Sequence, residues 1–298
     1  MATEAPRLPR KLYKYKSFDV NTLRMLSEAE VYFANPPQFN DPFDCSPTVR
    51  VDVERSEVER LWKHLRLKAV GRPQAVEELM NHRYMATEHG GRHDDDASGT
   101  EIYVGRLVSG IDDHVCSHFG GRGVLSLAAR WDCPLMWSHY GNEHRGMCIE
   151  FDTNDHRCDR LESVTYGATR YLLVSDLVAW HLGKSDKAEQ KIMRQFFFAK
   201  APQWRYEKEW RAVAPASGAD DAPFRISAIH LGFRSDPAIA TAVVKVLAGA
   251  RDEIKFYGMW SKGDGFKLAR YPLDVDEIDA RGIRTSLKFA IDDFDVLQ

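Results

Sequence analysis

Nine consecutive residues, Gln203-Trp204-Arg205-Tyr206-Glu207-Lys208-Glu209-Trp210-Arg211, bring together two carboxylates, three cations and three aromatic rings, and an apolar Ala212-Val213-Ala214 follows. A helix would spread these groups around its circumference. The alternation of Trp204 and Tyr206, and later of Trp210, Ala212 and Ala214, fits a strand instead, because aromatic residues suit a pleated, half-buried surface. A strand puts Glu207, Glu209 and Arg211 on one face and Lys208 and Trp210 on the other. A cation beside two carboxylates can hold one of them ionised and aimed. The competing reading is a solvated edge strand whose charges discourage aggregation.

A chain of 298 residues is long enough to bury a sizeable core in one large domain or two small ones. Its net charge of −3 argues against dominant binding to nucleic acid or an anionic membrane, leaving nucleic acid only a local basic patch. No run approaches the ~20 apolar residues of a membrane helix, and the stretch from Met1 to Lys16 has no apolar signal core. The five cysteines are widely spaced and form no Cys-x-x-Cys, which points to reduced thiols and a cytoplasmic protein.

Along the chain, Leu12 to Tyr15 alternates like a strand, Asp19 or Asn21 caps a short helix over Thr22 to Ala29, and Val31 to Ala34 is a second strand. Next comes Asn35-Pro36-Pro37-Gln38-Phe39-Asn40-Asp41-Pro42-Phe43-Asp44, dense in turn formers and stiffened by three prolines. Rigid polar loops at strand ends favour binding residues, so Asn35, Asn40 and Asp41 are candidates, although Asn and Asp also satisfy turn amides. Residues 50–120 read as amphipathic helices interrupted by a loop at 89–96. Neither that loop nor His114, Cys116 and His118 has the ligand spacing of a metal site.

A strand over 123–128 precedes a short helix at 133–141, and a strand follows at 146–152. In that helix His139 is either a core-edge histidine or a pocket group. Strand-like 161–166, helices at 170–183 and 185–200, strands at 224–233, 254–260 and 268–271 and a helix at 237–251 complete the reading. The expectation is one α+β domain over residues 1–273, with a central mixed or antiparallel sheet surrounded by helices. A helical insertion sits at 50–120, and 274–298 form a C-terminal appendage.

Several strings, in this order, resemble the bacterial domain-of-unknown-function family 2971. They are Leu12-Tyr13-Lys14-Tyr15, Tyr32 to Asp44, Leu135-Met136-Trp137-Ser138-His139-Tyr140, Gly146 to Asp152, Trp204 to Arg211 and Ile229-His230-Leu231-Gly232. The chain is more distantly similar to the ADP-ribosyltransferase fold, in which NAD lies in a cleft between two sheet halves and a glutamate on a late strand acts on it. That resemblance implies Lys14 or Tyr13 at the first position, Tyr32 or Asn35 at the second, and Glu209 with Glu207 at the third. Lys14 is neither His nor Arg, and the Ser-Thr-Ser signature is absent, both departures from that pattern.

Three functions follow as expectations. The first is an enzyme, of the toxin or phage-defence effector type, that cleaves the nicotinamide–ribose bond of NAD and transfers ADP-ribose to an unidentified acceptor. Glu209 would be catalytic with Glu207 or His139 auxiliary. Tyr13, Lys14, Tyr32, Asn35, Asn40, Asp41, Trp137, Tyr140 and Arg211 would bind NAD. The second is a metal-dependent nuclease using Asp41, Asp44, Glu207, Glu209 and Lys208. The third is a non-catalytic module holding a nucleotide-like ligand or a partner.

Overall fold

The computed structural model describes residues 6–90, 97–250, 253–263, 265–281 and 286. Residues 91–96 of the loop expected at 89–96, and all of 282–298 but Ser286, lie outside them.

The chain begins with β1 (Lys11–Lys16), α1 (Val20–Ser27), β2 (Glu30–Phe33) and β3 (Thr48–Arg50). The helices α2 (Arg55–Val70), α3 (Arg72–Gly90) and α4 (Ala97–Phe119) lead to β4 (Gly123–Ala128), α5 (Pro134–His139) and β5 (Met147–Asp152). Three short strands follow, β6 (Leu161–Ser163), β7 (Thr165–Tyr166) and β8 (Tyr171–Leu173), and then α6 (Val174–His181), α7 (Asp186–Phe198) and β9 (Ala199–Lys200). The remainder is β10 (Glu209–Ala214), β11 (Gly218–Asp221), β12 (Arg225–Leu231), α8 (Pro237–Val246), β13 (Lys255–Lys262), β14 (Lys267–Pro272) and α9 (Val275–Ala280). The class is α+β.

Local signals explain the boundaries. Asp19 caps α1 by accepting from the Thr22 amide at 2.8 Å, satisfying one of the orphan donors of the first turn. Asp236 caps α8 ahead of Pro237, whose missing N–H costs nothing at a helix start. The expected strand at 161–166 is divided into β6 and β7, and the helix expected from residue 170 starts only at Val174, after β8.

Contacts divide the chain into two compact units, the first holding residues 32–126 and 158–219 and the second 7–31, 127–157 and 220–281. In the first unit α2 buries Val58, Leu61, Trp62 and Leu65, while α4 buries Tyr103, Leu107, Ile111, Val115 and Phe119 at a spacing of four. These stripes meet Ile192, Phe196 and Phe197 of α7 in one core. Full burial of each such side chain is worth ~1.5–3 kcal/mol.

The second unit is built on a mixed sheet in the order β14-β13-β12-β5-β1, with the end of β4 beside β1. Only β12 and β13 run parallel, joined through α8; the other pairs are antiparallel. Register places Tyr13 opposite Glu150, and His230 opposite Tyr257. A bulge between Ile226 and Ala228 interrupts the pairing of β12 with β5. Among the described residues no helix is long and apolar enough to cross a membrane.

Candidate functional site

The central motif is not a strand throughout. Residues Pro202–Glu207 form a 3-10 helix, Lys208 turns the chain in the left-handed region at φ 46°, and β10 starts at Glu209. Pro202 favours a helical start, and the left-handed turn ends it, so Glu207 does not share a strand face with Glu209 and Arg211. The motif is nevertheless compact, because both its acidic residues meet Lys200 and Glu209 also meets Arg211.

Arg211 lies at the centre and is fully buried. Its guanidinium donates to both oxygens of Glu209, at 2.7 and 3.1 Å, and to both oxygens of Asp44, at 2.9 and 2.6 Å. A further bond runs to the Phe197 carbonyl at 2.6 Å. This planar, five-donor group matches two carboxylates in fork geometry, which an ammonium could not. Lys200 supplies the second cation, 2.5 Å from Glu207, 2.8 Å from Glu209 and 3.5 Å from Asp44. Tyr166 accepts the Glu209 amide at 2.7 Å.

Burial alone would raise the Glu209 carboxyl; Arg211 and Lys200 outweigh it and hold the group well below the usual carboxylate range. Burial likewise opposes the charge on Lys200, and Glu209 and Glu207 overcome it, keeping the ammonium charged. The Cys45 thiol, 3.2 Å from Arg211, is pushed upward by burial and stays protonated. Three formal carboxylates face two cations, and Asp44, Glu207, Glu209 and Arg211 are each buried. Removing one member strands the others in a poor solvent.

The proline-rich loop is tied to this cluster by Asp41. One carboxylate oxygen accepts from the Trp204 indole at 2.8 Å and the other from the Phe43 amide at 2.9 Å. Thus two motifs some 160 residues apart in sequence meet twice, through Asp41–Trp204 and Asp44–Arg211. Asn40 is exposed, Asn35 is half-buried, and Tyr32 is half-exposed with its hydroxyl 3.4 Å from Gln38.

The other candidates belong to the second unit. Trp137 is fully buried there, donates to the Trp131 carbonyl at 2.7 Å and meets Tyr15 edge-on, as a core residue does. Its position at i+3 from Pro134 turns the ring inward, while His139 points out and is exposed. Tyr140 is half-buried beside it. Lys14 and Tyr13 project from opposite faces of β1.

Tyr13 shares its face with residues that sequence reasoning missed. Glu150 accepts from Ser227 at 2.8 Å and lies 3.3 Å from His230 Nε2. Burial works against its charge, but His230 and Ser227 bring the carboxyl down to about 2. Burial pushes the Tyr13 hydroxyl up and holds His230 below the ordinary histidine value, hence neutral near pH 7. His230 is fully buried, with its Nδ1 unpartnered.

Beside it the half-buried Arg270 guanidinium lies 4.2 Å above the Tyr257 ring and 4.9 Å above Trp131, and among the described residues it makes two long polar contacts of 3.4 Å, to Glu150 and His230. Lys11, also part-exposed, reaches Asp152 at 2.9 Å. Glu150, His230, Tyr257 and Arg270 come from four strands, and no local sequence pattern announces them. The register of β5, β12, β13 and β14 brings them together.

Among the described residues no group of three or more His, Cys, Asp or Glu is placed to hold a metal ion. The carboxylates Asp41, Asp44, Glu207 and Glu209 are engaged with protein donors as given above, and Lys208 is exposed on its turn.

Neither the curated proteins nor the solved structures compared with the chain include a match. Over residues 136–212, a segment that carries Glu150, Glu207, Glu209 and Arg211 but not Asp44 or His230, the chain matches the model of the family described as protein of unknown function (DUF2971).

Proposed function

We propose that the protein is a binding module for an anionic, nucleotide-like ligand, received on the polar sheet face of the second unit. The observation that carries this reading is Arg270, a part-exposed cation stacked over Tyr257 and Trp131 and held by two long contacts of 3.4 Å. A guanidinium in that setting can exchange a weak internal partner for a phosphate or carboxylate, and the rings beneath it keep it flat. Lys11 adds a second cation on the same face. Glu150, ionised, holds Arg270 from the buried side, and the neutral His230 ring packs beside it.

Transfer of ADP-ribose from NAD is the competing reading, and it would use the same class of ligand. It requires Glu209 to meet the ribose. The side chain of Glu209 is 4% exposed, and both its oxygens are engaged by Arg211 and Lys200. A carboxylate so occupied stabilises the fold and has no lone pair directed at a substrate.

Titration of the purified protein with AMP, ADP-ribose and NAD, read by intrinsic tryptophan fluorescence, tests the proposal, with nicotinamide release followed in parallel. Saturable binding that Arg270→Ala weakens by ~10–100-fold, without nicotinamide release, supports the binding module. Release that disappears in Glu209→Gln, in a variant as stable as the wild type, would establish the transferase reading instead.

A further inference from the structure

The helix α3 is apolar on two faces. Toward the core it buries Ala75, Leu79 and Ala86 against α2 and α4. About a third of a turn round the helix, Val76, Met80 and Tyr84 are 51%, 60% and 58% exposed. The rest of the helix surface is largely polar or charged, and scattered exposed apolar residues do not usually recur at a spacing of four.

These three residues lie on a single ridge. Positions 72, 76, 80, 84 and 88 follow one another at intervals of four, the row that forms a packing ridge on a helix surface. The ridge reads Arg72, Val76, Met80, Tyr84, Glu88: a cation, three apolar side chains and an anion. Arg72 and Glu88 are both exposed, and Tyr84 donates its hydroxyl to Glu88.

Such an order is complementary to itself when reversed. A two-fold axis through Met80 places Met80 against Met80, Val76 against Tyr84 and Arg72 against Glu88 of a second copy. The apolar stretch spans about 12 Å along the axis, and two i±4 ridges lie side by side at the common crossing of about −50°. A closed two-fold contact uses one patch on both partners, as this ridge does.

We propose that the outer ridge of α3 is a self-association surface at which two copies of the chain pair antiparallel. Charge complementarity singles out a second copy. A foreign helix would need the reversed order of charges by coincidence, and this chain supplies it at every encounter.

Sedimentation of the full chain over a concentration series tests the inference. The wild type is expected to be a reversible dimer. Met80→Glu places two like charges on the axis and raises the dissociation constant at least ~tenfold, with an unchanged far-UV dichroism spectrum verifying the fold. Arg72→Glu and Glu88→Arg each weaken the dimer, and the double reversal restores it to within about threefold of the wild type.

A wild type that remains monomeric at ~100 µM overturns the proposal, including the case in which it then captures a different protein. A Met80→Glu dimer of undiminished affinity overturns it too. Failure of the double reversal to recover affinity, with both single variants weakened, overturns the antiparallel pairing.

Discussion

Replacing Arg211 with methionine keeps most of the side-chain volume and removes the charge. The structure allows the cost to be worked out. Asp44 and Glu209 lose four hydrogen bonds between them, the Phe197 carbonyl loses one, and Lys200 is left as the only cation for three buried carboxylates. Breaking a buried ion network from one side costs ~3–5 kcal/mol, because the surviving charges stay desolvated. Glu207→Gln keeps a polar partner beside Lys200 and neutralises the cluster's formal excess of negative charge, so it costs less, about 1–2 kcal/mol.

Urea denaturation followed by tryptophan emission measures both, since Trp62, Trp180, Trp204 and Trp210 report from the first unit. Arg211→Met combined with Glu209→Gln should cost less than the sum of the single changes, by ~1 kcal/mol or more, because the two residues share one network. A loss below about 1 kcal/mol for Arg211→Met would refute the reasoning. It would mean that water reaches these carboxylates in the folded protein.

Two other outcomes are expected. Trp204→Phe removes the indole bond to Asp41 and should destabilise the first unit by ~1 kcal/mol in the same titration; no change would mean that the proline-rich loop is held by its turns alone. Burial, and then the neighbouring His114 and His118, hold His181 down at about 4, against an ordinary 6.5, and His64, His114 and His118 are also lowered. These depressed bases take up protons in the unfolded chain before they do so in the folded one, so stability falls as pH drops from 6.5 toward 4. His181→Gln should flatten the melting temperature over that window, and an equally steep profile would refute the assignment.

Much of the fold was legible because its signals are local. The spacing of four along α4, the Asp19 cap and the period of two in β5 each state their element within a single stretch of chain. The motif at 203–211 was misjudged over its first half, since an aromatic alternation inside a Pro-initiated 3-10 turn mimics a strand. Part of the buried cluster could be foreseen. Glu209 and Arg211 are two apart on one strand and so could be paired, but nothing local names Asp44 as the second acid on Arg211.

The face around Arg270 was not foreseeable in this way. Glu150, His230 and Arg270 each look ordinary within their own strand, and only the pairing of β5, β12, β13 and β14 brings them together. Trp137 illustrates the opposite error, an aromatic in a promising string that the packing needs for the core.

A buried ion cluster lies in the first unit, and the ligand-receiving face we propose lies in the second. The most direct test titrates ADP-ribose into wild type, Arg270→Ala and Glu207→Gln under one set of conditions, with each variant's folding verified. The account predicts that Arg270→Ala loses ~10–100-fold in affinity while Glu207→Gln binds as the wild type does. Loss of binding in Glu207→Gln with Arg270→Ala unaffected would contradict it and move the ligand to the buried carboxylates.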